Sequence, residues 1–157
     1  MKKKRVVIIS LLLLLVSVIG ISSYFLFKDK INLLDVDHSA VDWNGKKQKD
    51  TSGEENTIAI PGVEKVTLYA NETTQAVNFH NPEINDCYFK ISLIHPDGSV
   101  LWISDLIEPG KGMYSIELEK TLAVGEYENA VLKYECFSLN DQSPLNGSEI
   151  NLKLVVV

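Results

Sequence analysis

Three histidines and two cysteines are the side chains of this 157-residue chain best suited to metal binding or nucleophilic chemistry. His80 stands directly before Asn81-Pro82, and His95 stands directly before Pro96-Asp97-Gly98, so each is expected where a strand ends in a turn. A zinc site would need such side chains to converge at bonds of about 2.0–2.2 Å, and the chain has no His-x-x-x-His or Cys-x-x-Cys spacing to favour that. The sequence therefore predicts no metal site.

Catalytic signatures are equally sparse. The chain contains no Gly-x-Ser-x-Gly nucleophile elbow and no glycine-rich phosphate loop between a strand and a helix. We therefore predict a protein that is not an enzyme and that holds no cofactor. One alternative stays open, an envelope hydrolase whose site is assembled from His80, His95 and acidic loop residues.

The two cysteines, Cys87 and Cys136, occupy equivalent phases of two apolar runs. If each run is a strand, Cys87 shares a face with Phe89 and Ile91, and Cys136 shares a face with Leu132. Both thiols then point into the core, which predicts a Cys87–Cys136 disulfide if this part of the chain is exported. Two buried free thiols are the alternative.

The elements that would position these groups begin with an apolar segment. Four basic residues at positions 2–5 precede 22 almost entirely apolar residues at positions 6–27. As a helix this segment would be about 33 Å long, which matches a hydrocarbon core of about 30 Å. We predict one transmembrane helix through residues 6–27, with residues 1–27 forming a basic cytoplasmic tip plus anchor and all later residues outside the cytoplasm of a single-pass cell-membrane protein. A cleaved signal peptide is the rival interpretation, but it would have a shorter apolar core and a small-residue cleavage site.

Charge excludes one class of partner. Residues 57–157 carry 14 acidic and six basic side chains, a net charge of −8. Affinity for nucleic acid comes largely from cations that neutralise phosphates, so no nucleic-acid partner is expected. The length outside the anchor suits one domain.

The remaining chain divides into a tether and a β domain. Residues 28–56 are predicted to be an extracytoplasmic tether, because 46–56 contain no aliphatic side chain to bury. Residues 57–157 alternate short apolar runs with turn residues, which predicts an all-β fold: one antiparallel β-sandwich. The predicted strands are 57–60, 64–70, 75–79, 87–94, 100–107, 113–118, 126–139 and 149–157.

Part of this domain carries a family resemblance. The segments Ile107-Glu108-Pro109-Gly110, Tyr114-x-Ile116-x-Leu118 and Leu122-x-x-Gly125-x-Tyr127 together resemble a hairpin unit of bacterial immunoglobulin-like and fibronectin-type-III-like extracellular domains. The resemblance implies an immunoglobulin-like sandwich, with Gly125 at a tight bend of positive φ and the Tyr127 hydroxyl bonded to backbone. The whole domain is similar to small exported, membrane-anchored proteins of Gram-positive bacteria, which implies a location in the cell envelope.

Function is predicted from what these elements leave exposed. Residues 138–147 form a polar stretch with isolated apolar side chains, and Leu139 and Leu145 are the candidate partner-binding residues in it. We predict a non-catalytic protein that presents its sandwich for contacts with other envelope proteins. A ligand-binding or protease-inhibitor-like sandwich is a further alternative.

Overall fold

The computed structural model describes residues 33–45 and 57–157. Within these residues the secondary structure is strand, and Leu34–Val157 forms one compact unit that contains every described strand. The strands are β1 (Val41–Asp42), β2 (Lys65–Leu68), β3 (Thr74–His80), β4 (Cys87–Ile94), β5 (Val100–Ile103), β6 (Lys111–Glu117), β7 (Gly125–Ser138) and β8 (Pro144–Val156). The all-β prediction is confirmed.

The strands form two sheets. One sheet has the order β1-β6-β3, and the other has the order β2-β8-β7-β4-β5. Neighbouring strands are antiparallel except β2 and β8, which run parallel from Lys65 opposite Lys153 to Leu68 opposite Val156. The expectation of a purely antiparallel sandwich is therefore wrong at this pair, since the first strand of the larger sheet lies beside the last strand of the chain rather than in a hairpin.

The core lies between the two sheets and follows the period-two pattern of the sequence. Phe79 of β3 and Trp102 of β5 stack across the sheets with ring centroids 5.8 Å apart. Phe89 and Tyr134, both buried, meet edge to face at 5.4 Å. Burial of alternating side chains on each inner face thus joins the two sheets.

A buried asparagine pair connects the sheets at one end. The Asn81 side chain donates hydrogen bonds to the carbonyls of Cys87 (2.8 Å) and Ile107 (2.9 Å) and accepts one from Asn85 (2.9 Å). Asn85 in turn bonds both the amide and the carbonyl of Ala59. This explains why residues 57–60, predicted as a strand, are not one: a side chain, rather than a neighbouring strand, satisfies their backbone.

The segment that precedes the sandwich is part of the fold. Residues 34–45, here called the strap, belong to the predicted tether, but β1 within them pairs with β6 through Val41 opposite Gly112. The Asp37 amide also donates to the carbonyl of Leu106 at 2.8 Å. The strap thus supplies an edge strand to the smaller sheet, and a two-residue strand has too little periodicity to be recognised from sequence.

The anchor prediction falls on residues 6–27, which lie outside the described residues. Among the residues that the structure does describe, no helix is long and apolar enough to cross a membrane.

Candidate interaction surface at the end of the long hairpin

The longest strands, β7 and β8, pair with each other as a hairpin. A loop of residues 139–143 joins them, and here it is called the hairpin loop. The Ser138 amide donates to the Ser143 carbonyl (2.9 Å), and the Gln142 amide donates to the Ser138 carbonyl (3.0 Å). The Ser143 amide is bonded to the Asp141 carboxylate at 3.1 Å, and together with the Ser143 and Ser138 side chains this lowers the pKa of Asp141. These bonds give the loop a defined shape and keep Asp141 negatively charged.

The two predicted partner-binding leucines flank the hairpin loop. Leu139 begins it and Leu145 follows it within β8, and their exposed fractions are 41% and 44%. The predicted loop of 138–147 is shorter in the structure, because β8 already begins at Pro144. Both leucines therefore present part of their apolar surface to solvent beside the hairpin loop.

A β-bulge shapes the hairpin beside Leu145. The pairing register of β7 and β8 shifts between Tyr134 and Cys136, where β8 contributes the extra residue. A Cβ atom on Gly147 would lie 2.3 Å from the Tyr134 carbonyl oxygen, so only glycine fits there. A groove of about 310 Å³ crosses this bulge, lined by residues of both strands that include Phe137, Leu145 and Glu149.

The outer edge of β8 is open beside this groove. β2 pairs with β8 only from Lys153 to Val156, and no strand among the described residues pairs with the outer edge of 144–151, called here the open edge. The described chain before β2 does not pair with this edge as a strand: Asn85 bonds both backbone groups of Ala59, and Pro61 has no amide hydrogen to donate. Within residues 33–45 and 57–157, the open edge therefore presents backbone donors and acceptors that no strand pairs with.

Side chains alternate along residues 148–151 of the open edge. Ile150 faces Leu132 on the inner side and packs against the core while remaining partly exposed. Glu149 lies on the outer side opposite Lys133, whose ammonium pairs instead with Glu135 at 3.5 Å. Among the described residues Glu149 has no ion-pair partner. The open edge thus carries Ile150 on its inner side and, on its outer side, Glu149 without an ion pair among the described residues.

The strap is tied to the same end of the molecule. The Gln142 side chain accepts the Leu34 amide at 2.6 Å and donates to the Leu34 carbonyl at 3.0 Å. The sequence did not predict the hydrogen bonds of Gln142 or of Asn85, because a single Gln or Asn in a polar loop carries no pattern that distinguishes it.

A second strap contact encloses a histidine. Trp43 stacks on His80 with ring centroids 3.8 Å apart and an angle of 7° between the planes, and the indole nitrogen donates to Asn78 at 2.9 Å. His80 is 6% exposed, and its Nδ1 atom has no hydrogen-bond partner. Burial lowers the pKa of His80 below 6.5. His80 is therefore held as a neutral ring beneath the strap.

The structure does not bring the histidines together. His80 ends β3 beside the start of β4, whereas His95 follows the end of β4, and an eight-residue strand spans about 26 Å. His95 instead pairs with Asp97 at 2.9 Å, and hydrogen bonds from Ser99 and then His95 hold the pKa of Asp97 far below its usual range. No group of three potential metal ligands occurs within residues 33–45 and 57–157.

The cysteines are close together but not bridged. Both are buried free thiols on the inner face, where Cys87 lies opposite Ser138 and Cys136 lies opposite Phe89. A hydrogen bond between them lowers the pKa of Cys87 and, with burial, raises that of Cys136. The predicted disulfide is therefore not shown: the register makes the pair diagonal, with a Cα separation of about 7–8 Å, outside the usual span of about 4.4–6.8 Å for a disulfide.

The segments that carry the family resemblance show one of the two expected features. The Tyr127 hydroxyl donates to the Ala123 carbonyl at 3.0 Å, as expected for a tyrosine corner. The expected positive φ is found at Gly110, in the Pro109-Gly110 turn, and not at Gly125. Gly125 lies next to the Tyr127 ring, and a Cβ atom added to it would be 3.4 Å from that ring.

Comparison with known proteins does not assign the chain to a family. No protein-family model matches the chain, and no curated protein matches it.

Proposed function

We propose that this chain is a non-catalytic, single-pass membrane protein that presents an immunoglobulin-like β-sandwich outside the cytoplasm for contacts with other proteins of the cell envelope. The observation that carries the proposal is the end of the long hairpin. There, two half-exposed leucines, a groove and an unpaired strand edge adjoin a rigid loop.

Strand order supports the immunoglobulin-like assignment. β3 and β6 share one sheet, while β8, β7, β4 and β5 share the other with β2 parallel to the last strand. Variable-type immunoglobulin domains divide their strands in the same manner and carry a tyrosine corner near the start of the strand that β7 would represent. Fold alone gives no function, so the proposal depends on the contact surface.

The anchor follows from residues 6–27, whose length and basic flank suit a membrane span. On this proposal the N-terminus is cytoplasmic and the sandwich lies outside. The partner is then a protein exposed at, or secreted across, the same membrane.

Replacing both Leu139 and Leu145 by serine is expected to reduce capture of the envelope partner by about tenfold, because the partner would no longer remove the exposed apolar surface of the two side chains from water. The full-length protein would be cross-linked in intact cells, affinity-purified, and its bound proteins quantified by mass spectrometry. Because both side chains are half-exposed, the thermal transition should stay unchanged.

Val124→Ser is the matched control for this experiment. Val124 is 72% exposed and lies at the opposite end of the sandwich, just before β7 begins. Equal capture by the wild type, the leucine variant and the Val124 variant would contradict the proposed surface. Failure of every full-length form to capture more than a fragment of residues 1–33 would contradict the proposed function.

We also propose that Cys87 and Cys136 form a disulfide once the domain is exported. Each thiol loses one proton and one electron to an exported thiol oxidant, and the two sulfur atoms join; a small local shift of β4 against β7 would accommodate the diagonal pair.

Protein purified without reductant, then denatured and treated with an alkylating reagent, is expected to gain no adducts, and to gain two only after reduction. A parallel sample of Cys87→Ser should gain one adduct without reduction. Two adducts on the unreduced wild type would show that the pair remains thiols.

A further inference from the structure

The open edge of β8 specifies the kind of partner more narrowly than exposed leucines do. Backbone donors and acceptors at a sheet edge are satisfied best by another extended backbone, and strand addition is an established mode of peptide recognition. Residues 144–151 lie between the hairpin loop and the point where β2 joins at Lys153, and the bulge at Gly147 divides them. An incoming strand of about five or six residues fills this length.

The side chains on the two sides of the open edge differ in chemistry. On the inner side, Ile150 is only partly covered and Leu145, opposite Cys136, is 44% exposed, so an incoming strand would complete the core face there with apolar side chains. On the outer side, Glu149 has no ion-pair partner among the described residues, because Lys133 pairs with Glu135. A basic side chain on the incoming strand would face Glu149.

The surrounding charge has the same sign. Asp141 in the hairpin loop is held in its ionised form, and the domain of residues 57–157 has eight more acidic than basic side chains. Like charges opposed across a strand pair are destabilising, so an acidic segment would be rejected at this edge.

From the unpaired backbone of 144–151 and the charge of Glu149, we propose that the partner contributes an extended segment with alternating apolar and basic side chains, which adds to β8 as a sixth strand of the larger sheet. This inference rests on the proposed function and names the class of its partner. The occupant is a segment of a different envelope protein.

The test places a photo-reactive residue on the open edge of the full-length chain in cells. Benzoylphenylalanine replaces the exposed Asn151, and in a control protein it replaces the exposed Glu119, which follows β6 at the opposite end of the sandwich. Cross-linked products are digested, and the attached peptide is sequenced by mass spectrometry. The expected product appears at position 151 and not at 119, and the partner peptide alternates apolar and basic residues.

Charge reversal supplies the second measurement. Glu149→Lys is expected to lower the yield of the cross-link from position 151 by about fivefold, whereas Glu119→Lys leaves it unchanged. Thermal melts of both variants verify that each is folded.

The outcomes separate the inference from the function on which it rests. Cross-links from the open edge to an extended basic segment, weakened by Glu149→Lys, support strand addition. A partner captured through Leu139 and Leu145 but cross-linked to helical or acidic peptides, or only from position 119, overturns strand addition and leaves the proposed function standing. Cross-links to β8 of a second copy overturn it in favour of self-association, and capture of no partner overturns the proposed function itself.

Discussion

Replacing Asn81 by leucine is expected to lower the free energy of unfolding by about 4 kcal/mol. Asn81 is fully buried, and its side chain bonds the carbonyls of Cys87 and Ile107 while accepting from Asn85. Leucine has a similar volume, but it would leave the buried Cys87 carbonyl and one N–H of the Asn85 amide without partners. The Ile107 carbonyl would lose one of its two hydrogen bonds and keep the bond from the Phe89 amide. Each group left without a partner costs about 1–3 kcal/mol.

Urea unfolding, followed by the fluorescence of the buried Trp102, would measure this loss. The control is Asn140→Leu, since Asn140 is exposed in the hairpin loop and only its backbone amide has a hydrogen bond, to the Ser138 hydroxyl. We expect that variant to unfold within about 0.5 kcal/mol of the wild type. If Asn81→Leu unfolds at the same urea concentration as Asn140→Leu, the asparagine pair does not connect the sheets in the way described.

We also expect the strap to detach from the sandwich when the pH is lowered. Docked beneath Trp43, His80 has a pKa below its ordinary value of 6.5 because burial disfavours its charged form and Nδ1 has no acceptor. A released strap exposes the ring and restores the ordinary value. The equilibrium constant for docking of the strap therefore has its full value above pH about 6.5. It falls as the pH decreases from 6.5 to the lowered pKa of His80, by about tenfold for each pH unit between these two values.

Hydrogen exchange of the full-length protein would detect this release. The Asp37 and Trp43 amides are bonded to the Leu106 and Gly110 carbonyls, so their protection reports docking. After correction for intrinsic rates, protection should fall between pH 7.5 and pH 5. Asp42 and Lys111, which flank the stack, should contribute little over this range, because their ion pair lowers the pKa of Asp42 and raises that of Lys111.

His80→Phe is the matched variant for the strap. Phenylalanine keeps a flat ring beneath the indole but cannot be protonated, so strap protection should become independent of pH. An equal loss of protection in His80→Phe and in the wild type would assign the effect to another group. Constant protection of the wild type down to pH 5 would show that His80 does not control the strap.

The sandwich was predictable from sequence because its signal is local. Cys87, Phe89 and Ile91 alternate with less buried residues, and all three are buried in β4 as the period-two pattern predicts. The β4 boundaries are also those predicted, because His95-Pro96-Asp97-Gly98 forms the turn after it, with Gly98 at positive φ. Alternation and turn chemistry need no knowledge of distant residues.

The strap and the start of β8 were not predictable in this way. Trp43 stacks on His80, which lies 37 positions later in the chain. It also lies against Gly112, where a Cβ atom would be 2.9 Å from the indole. Pro144 to Gly147 lack alternation because a bulge interrupts them and only one side of the strand is paired. The exposure of Leu139 and Leu145 fits the predicted contact surface, while their role in binding remains a prediction.

The strap also determines how tension would enter the domain. A pull on the chain ahead of Leu34 meets first the two hydrogen bonds of Gln142, then the Asp37 and Trp43 amide bonds, and only afterwards the larger sheet. The twelve residues of the strap, once peeled away, extend to about 40 Å. If the chain is anchored as proposed, the strap would be a reserve of length that lets the sandwich move farther from the membrane under load without unfolding its core.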